Sequence, residues 1–191
     1  MPVPKPNHSD KRLTTPARPV GNALPRFAIT FGVCLLAGFG ALFLPAVQAV
    51  DENVTKSLVQ VAHSLIHVCG GSAFASGAIL WAPNGFGVEM KDGCNAANVT
   101  ILFWAALIAF PATKRMKIFG GLIGGLLIQV VNLLRFISLF YLGQYSTSLF
   151  DFAHIYLWEI LIILDTVVIF WWWVTWVNRG TAAANPQISG A

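Results

Sequence analysis

The sequence predicts an all-α integral membrane protein with about four transmembrane helices. Both ends lie on the inner side, and the first outer loop holds an amphipathic helix and a short extended segment. Three observations predict it. Of 191 residues, 56% are hydrophobic and 10% charged, with a mean hydropathy of +0.67, whereas a soluble domain carries about 25% charged residues. Long apolar runs recur near 27–50, 98–112, 118–142 and 153–177, each approaching or reaching the length of a membrane crossing. Lysines and arginines gather in the tails and one short loop, as the positive-inside rule requires of the inner face.

Residues 1–26 are rich in Pro, Ser, Thr and Asn and carry Lys5, Lys11, Arg12, Arg18 and Arg26 against Asp10. They show no periodicity and are expected to form a disordered basic inner tail. The membrane-embedded domain follows over 27–178. Its first run, Phe27 to Val50, ends in a cleavable-looking Ala46-Val47-Gln48-Ala49, but it exceeds the roughly 7–15 residues of a signal-peptide core, so an uncleaved first helix is expected.

The connection over 51–97 is the polar exception. Val54, Leu58, Val61, Leu65 and Val68 recur at spacings of four and three, which predicts an amphipathic helix lying on the membrane face or capping the bundle. Gly70-Gly71 ends it. Trp81-Ala82-Pro83-Asn84-Gly85 reads as a turn before an extended piece ending at Met90.

The second crossing is expected over about Asn98–Ala112, the third over Ile118–Leu142 and the fourth over Ala153–Val177. Lys114, Arg115 and Lys117 form the short inner loop, and 144–151 a polar outer link. Trp158, Trp171, Trp172, Trp173 and Trp176 suit interfacial belts. Residues 179–191 form a second inner tail. The net charge of +4 is accounted for by this topology, so no nucleic-acid partner is expected. The partner that composition demands is the lipid bilayer.

Three polar side chains in the apolar half then share a depth. Cys94 precedes the second crossing and His154 opens the fourth, both on the outer side. Arg135 stands about 18 residues into the third, roughly 27 Å from the inner face at 1.5 Å per residue, against a hydrocarbon core of about 30 Å. An arginine near a helix end can simply snorkel, yet an intramembrane arginine marks a functional site by default because burying it is costly without a partner.

Together the three support acyl transfer. Histidine can deprotonate a thiol, a nearby cation favours thiolate, and a guanidinium can hold a carbonyl oxygen as it gains charge. Asn132, one turn before Arg135, is expected to orient it. Glu159, five residues after His154, falls on another α-helical face. His63 and His67 have a metal-binding spacing beside Cys69, but no further ligand set accompanies them, and neither metal nor cofactor is expected. Gly120/Gly124 and Gly121/Gly125 are small-xxx-small pairs that imply close helix packing.

These residues carry a resemblance. Asp92-Gly93-Cys94-Asn95, Asn132-Leu133-Leu134-Arg135 and Phe150-Asp151-Phe152-Ala153-His154, with Ile137–Gly143 and Leu157-Trp158-Glu159, resemble the exosortase/archaeosortase family of membrane-embedded cysteine transpeptidases, closest to the short exosortase H type. The resemblance spans about residues 85–178. It implies a thiol protease that cleaves C-terminal sorting signals, each a short motif, a hydrophobic helix and a basic end, with Ile-Pro-Thr-Leu expected as the motif. It implies Cys94 as the nucleophile forming a thioester, completed by Arg135 and His154, and transfer to an acceptor nucleophile that the sequence does not specify. It also implies a multi-pass protein of the bacterial inner membrane with its site, and the 51–97 loop, facing the periplasm.

The chain departs from the family in having four crossings where many members have about eight, and Ala96 where a glycine is expected. Two alternatives stand beside this reading. One is a non-catalytic scaffold with a Cys69–Cys94 disulfide; the other is a metal handler or small transporter built on His63, His67 and Cys69.

Overall fold

The computed structural model describes residues 23–91 and 93–184. Helices α1 (Ala23–Ala41) and α2 (Pro45–Val68) are followed by strands β1 (Phe74–Ser76), β2 (Ile79–Trp81) and β3 (Gly87–Glu89). Then come α3 (Ala97–Ala109), α4 (Lys114–Tyr145), α5 (Thr147–Phe152), a π-helical turn over Ala153–Leu157, and α6 (Trp158–Ala184). Most of the basic tail expected over 1–26 lies outside the described residues, as does the chain beyond residue 184.

The first apolar run is not one helix. It breaks at Leu42–Leu44, and α2 starts at Pro45, where proline's missing N–H costs nothing in a first turn. The amphipathic helix is therefore longer than its apolar spacing marks, and it buries a different face. Thr55, Val59, Ala62 and Ile66 are buried, whereas Val54, Val61, Leu65 and Val68 are exposed. Both stripes have helical spacing and are one residue apart, so only packing chooses between them.

The single extended piece expected before Met90 is an antiparallel sheet of order β1-β2-β3. Gly77 (φ +60°) and Gly85 (φ +86°) make its two turns in left-handed backbone, which glycine adopts without strain.

Three segments are long and apolar enough to cross a membrane: Leu24–Ala41, Lys114–Tyr145 and the run Thr147–Arg179. The expected second crossing forms α3, whose 13 residues extend about 20 Å against a hydrocarbon core of about 30 Å. Pro111 follows its end. Lys117 Nζ donates to the Ile108 carbonyl at 2.6 Å, capping α3 from the next helix, as cations do at helix C-termini.

The 32 residues of α4 run about 48 Å and join two cores. In one, Val59 and Ile66 of α2, Leu80, Val88 and Met90 of the sheet region, and Phe136 and Phe140 of α4 pack together. In the other, Phe103 and Leu107 of α3, Ile128 of α4, and Ile169, Trp173 and Val177 of α6 form the bundle. Aromatic rings fill the glycine groove of α4. A Cβ would meet Trp173 at Gly120, Trp104 at Gly121, and Phe103 and Ile169 at Gly124, while Gly125 faces open space.

Trp173 is consequently not a belt residue. It is buried and its indole N–H donates to the Met116 carbonyl at 3.1 Å. That bond joins the start of α4 to the later part of α6, so Lys114, Arg115, Lys117 and Arg179 lie toward one end of the bundle.

Candidate active site

Cys94 sits in the loop between β3 and α3, at the level where the two cores meet. The loop closes on itself through the Cys94 amide, which donates to the Lys91 carbonyl at 2.9 Å. Gly93 (φ +87°) and Ala96 (φ +62°) both take left-handed backbone. The position where the resemblance leads one to expect glycine is therefore one whose geometry favours glycine, and Ala96 holds it with its methyl buried in the bundle core. Asp92, of the same motif, lies outside the described residues.

Asn95 fixes this loop, and its role was missed in the sequence. Its side-chain nitrogen donates to Asp51 Oδ1 at 2.7 Å and to Thr55 Oγ1 at 3.0 Å. Its side-chain oxygen accepts from the Ala97 amide at 3.0 Å, and its carbonyl accepts from Gln129 Nε2 at 3.2 Å. One buried amide thus ties the thiol's loop to α2, α3 and α4. Only its place beside Cys94 could have signalled this, because its partners on α2 and α4 lie 34 to 44 residues away.

Cys94, Arg135 and His154 line one cavity of about 250 Å³ with Gly87, Val88, Glu89, Lys91, Phe136, Leu139 and Phe150. Three residues from a loop, a long helix and a π turn are thus brought to one space. Arg135 is buried, and among the described residues no hydrogen bond or ion pair engages its guanidinium. Its charge and that of His154 act on one another. A buried guanidinium with no partner among the described residues is suited to bind an oxygen-bearing ligand.

The π turn is the second feature sequence periodicity missed. The Trp158 amide donates to the Ala153 carbonyl, five residues back. The extra residue shifts the helix register, and Glu159 acts electrostatically on His154, as does Asp151. Such turns recur at functional sites. Phe150 stacks on the imidazole, with ring centroids 5.7 Å apart and planes 18° from parallel. His154 Nδ1 is buried and has no hydrogen-bond partner among the described residues.

Asn132 does not orient the guanidinium through a hydrogen bond. It is wholly buried, both its side-chain polar atoms lack a partner among the described residues, and it is absent from the cavity lining. One helical turn puts it beside Arg135 in register without a hydrogen bond between the two groups.

Cys69 and Cys94 are both free thiols, Cys69 exposed and Cys94 half-buried. The disulfide on which the scaffold alternative depends is not formed. His63 and His67 meet edge to face with centroids 4.7 Å apart, but among the described residues no group of three potential ligands gathers. A tetrahedral protein site needs more than that pair.

What the fold and site define is a mostly helical protein with membrane-length apolar segments and a thiol–guanidinium–imidazole cavity beside the core shared by α2, the sheet and α4. The chain matches no family model, and no curated protein or solved structure matches it.

Proposed function

We propose that this chain is a membrane-embedded cysteine peptidase and transpeptidase of exosortase type, acting on C-terminal sorting signals. The observation that carries the reading is the convergence of Cys94, Arg135 and His154 on one cavity, each from a different element.

In this reading His154 takes the Cys94 proton, and the thiolate attacks a substrate peptide carbonyl. Arg135 holds the carbonyl oxygen as it becomes an oxyanion. The C–N bond breaks, the leaving amine receives the proton from His154, and a thioester remains on Cys94. An acceptor nucleophile (an amine, a lipid headgroup or water) then attacks the thioester, gives up its proton, and restores the thiol. The substrates are proteins ending in a short motif of the Ile-Pro-Thr-Leu type, a hydrophobic helix and a basic tail.

The same proposal makes the protein a multi-pass component of a bacterial inner membrane, with four crossings and both ends inside. Bilayer thinning accommodates the short α3. The basic cluster of Lys114, Arg115, Lys117 and Arg179 supports a cytoplasmic assignment for that end of the bundle. The site then faces the periplasm, where the exposed Val54, Val61 and Leu65 stripe of α2 rests on lipid.

The test is co-expression with a reporter protein carrying such a signal. Wild type is expected to shorten the reporter, and Cys94→Ala to stay in the membrane while uncleaved reporter accumulates. Continued shortening by Cys94→Ala rejects the assignment. A membrane-impermeant maleimide added to spheroplasts is expected to label Cys94 from outside.

A further inference from the structure

The β-sheet ends beside the thiol, and the way it ends decides which backbone groups are free. The register pairs Ile79 with Glu89, Leu80 with Val88 and Trp81 with Gly87. Just beyond the strands, the Met90 amide donates to the Ala78 carbonyl and the Ala82 amide to the Phe86 carbonyl. In an antiparallel ladder hydrogen-bonded and non-hydrogen-bonded pairs alternate. Phe86, Val88 and Met90 therefore turn their backbone groups toward β2, and Gly87 and Glu89 turn theirs away from it.

β3 is an edge strand, and among the described residues no hydrogen bond engages the N–H or C=O of Gly87 or Glu89. Both residues line the cavity that holds Cys94, Arg135 and His154. The strand is also tethered to the nucleophile by the bond from the Cys94 amide to the Lys91 carbonyl. An unpaired edge of this kind is a template for an extended chain.

We propose that β3 is the peptide-binding edge of the site. An extended segment of the substrate, the residues flanking the scissile bond, pairs with Gly87 and Glu89 as a fourth strand. This rests on the cysteine-peptidase reading and goes beyond it by naming what holds the substrate backbone. Pairing fixes the substrate strand about 4.8 Å from β3 and runs its carbonyls along the wall where the thiol and guanidinium stand. Recognition is through main chain, so it tolerates different side chains. The Glu89 and Lys91 side chains, both exposed, grade the preference of the flanking residues by charge.

Glu89→Pro tests it, because proline removes a donor that faces away from β2 and is tolerated at such edge positions. With the signal-bearing reporter, processing is expected to slow about tenfold, the worth of one or two lost hydrogen bonds. Glu89→Gln, which keeps the N–H, is expected to stay within about threefold. Cys94 alkylation by a small maleimide should be unchanged in both.

Wild-type processing by Glu89→Pro, with Cys94→Ala inactive, overturns the edge proposal and leaves the catalytic reading standing. Processing by Cys94→Ala overturns the catalytic reading and, with it, this one. If Glu89→Pro loses its fold, a cysteine pair decides. In a chain carrying Cys34→Ser, Cys69→Ser, Cys94→Ala and Glu89→Cys, oxidation is expected to join position 89 to a cysteine placed in the reporter's short motif. A disulfide between two copies of the enzyme, or none to the reporter, overturns the proposal.

Discussion

Asn95 donates to Asp51 across 44 residues of sequence at 2.7 Å, and with its bond to Thr55 this ties the Cys94 loop to α2. A hydrogen bond to a charged partner is worth about 1.5–3 kcal/mol. Asn95→Ala is therefore expected to lower stability by about 2 kcal/mol, read as unfolding in detergent. It should also slow reporter processing while Cys94 remains open to maleimide. Asn95→Asp, which sets a second carboxylate beside Asp51, should be worse than alanine. Full processing with full stability in both variants would show that the loop holds itself.

Arg135 donates to nothing among the described residues, and the proposed mechanism gives its guanidinium to the substrate carbonyl oxygen. Arg135→Lys keeps the charge and loses the planar fork. Processing is expected to fall about a hundredfold or more, the usual cost of an oxyanion donor. Unchanged activity would mean that a point charge suffices there.

Deleting Ile155, an exposed residue of the π turn, should convert that turn to α-helix. The segments on its two sides keep their relative register, but His154 loses the widened backbone turn that sets where its ring points. Circular dichroism is expected to report an intact helix while processing is lost. Retained processing would mean the π turn has no part in aiming His154.

Gly124 and Gly125 are neighbours with opposite expectations. A Cβ at Gly124 meets the Phe103 ring and Ile169, whereas at Gly125 it meets nothing. Gly124→Ala is expected to cost about 1–3 kcal/mol through overpacking. Gly125→Ala should be neutral or stabilising by up to about 1 kcal/mol, since alanine is the better helix former. Thermal unfolding of the two variants checks both signs.

These contrasts show what was legible in the chain. The glycine pairs were visible by spacing, but which members touch a neighbour depended on where Trp104, Trp173 and Phe103 reach. The α2 helix was visible by periodicity, but two apolar stripes competed, and the sheet and α4 settled on Thr55, Val59, Ala62 and Ile66. The sheet itself was nearly invisible, since three-residue strands carry too little alternation to register. The turn at Asn84-Gly85 and the extended piece ending at Met90 were its only traces.

Helix rise and charge placement, both local properties, lead one to expect Cys94, Arg135 and His154 at one depth before any contact is known. Depth is one coordinate, and one-dimensional periodicity can supply it. Convergence on a single cavity needs the other two, which depend on how α4 packs across both cores, on Asn95 reaching back to Asp51, and on one extra residue in a helical turn. Those are long-range or register effects, and no window of sequence contains them. The sequence by itself predicted the apolar helices and an expected common level for the three polar groups, because both follow from local periodicity and charge; the tertiary structure alone decided that the three line one cavity, that Asn132 makes no hydrogen bond to Arg135, and that a strand edge unpaired among the described residues lies beside the thiol.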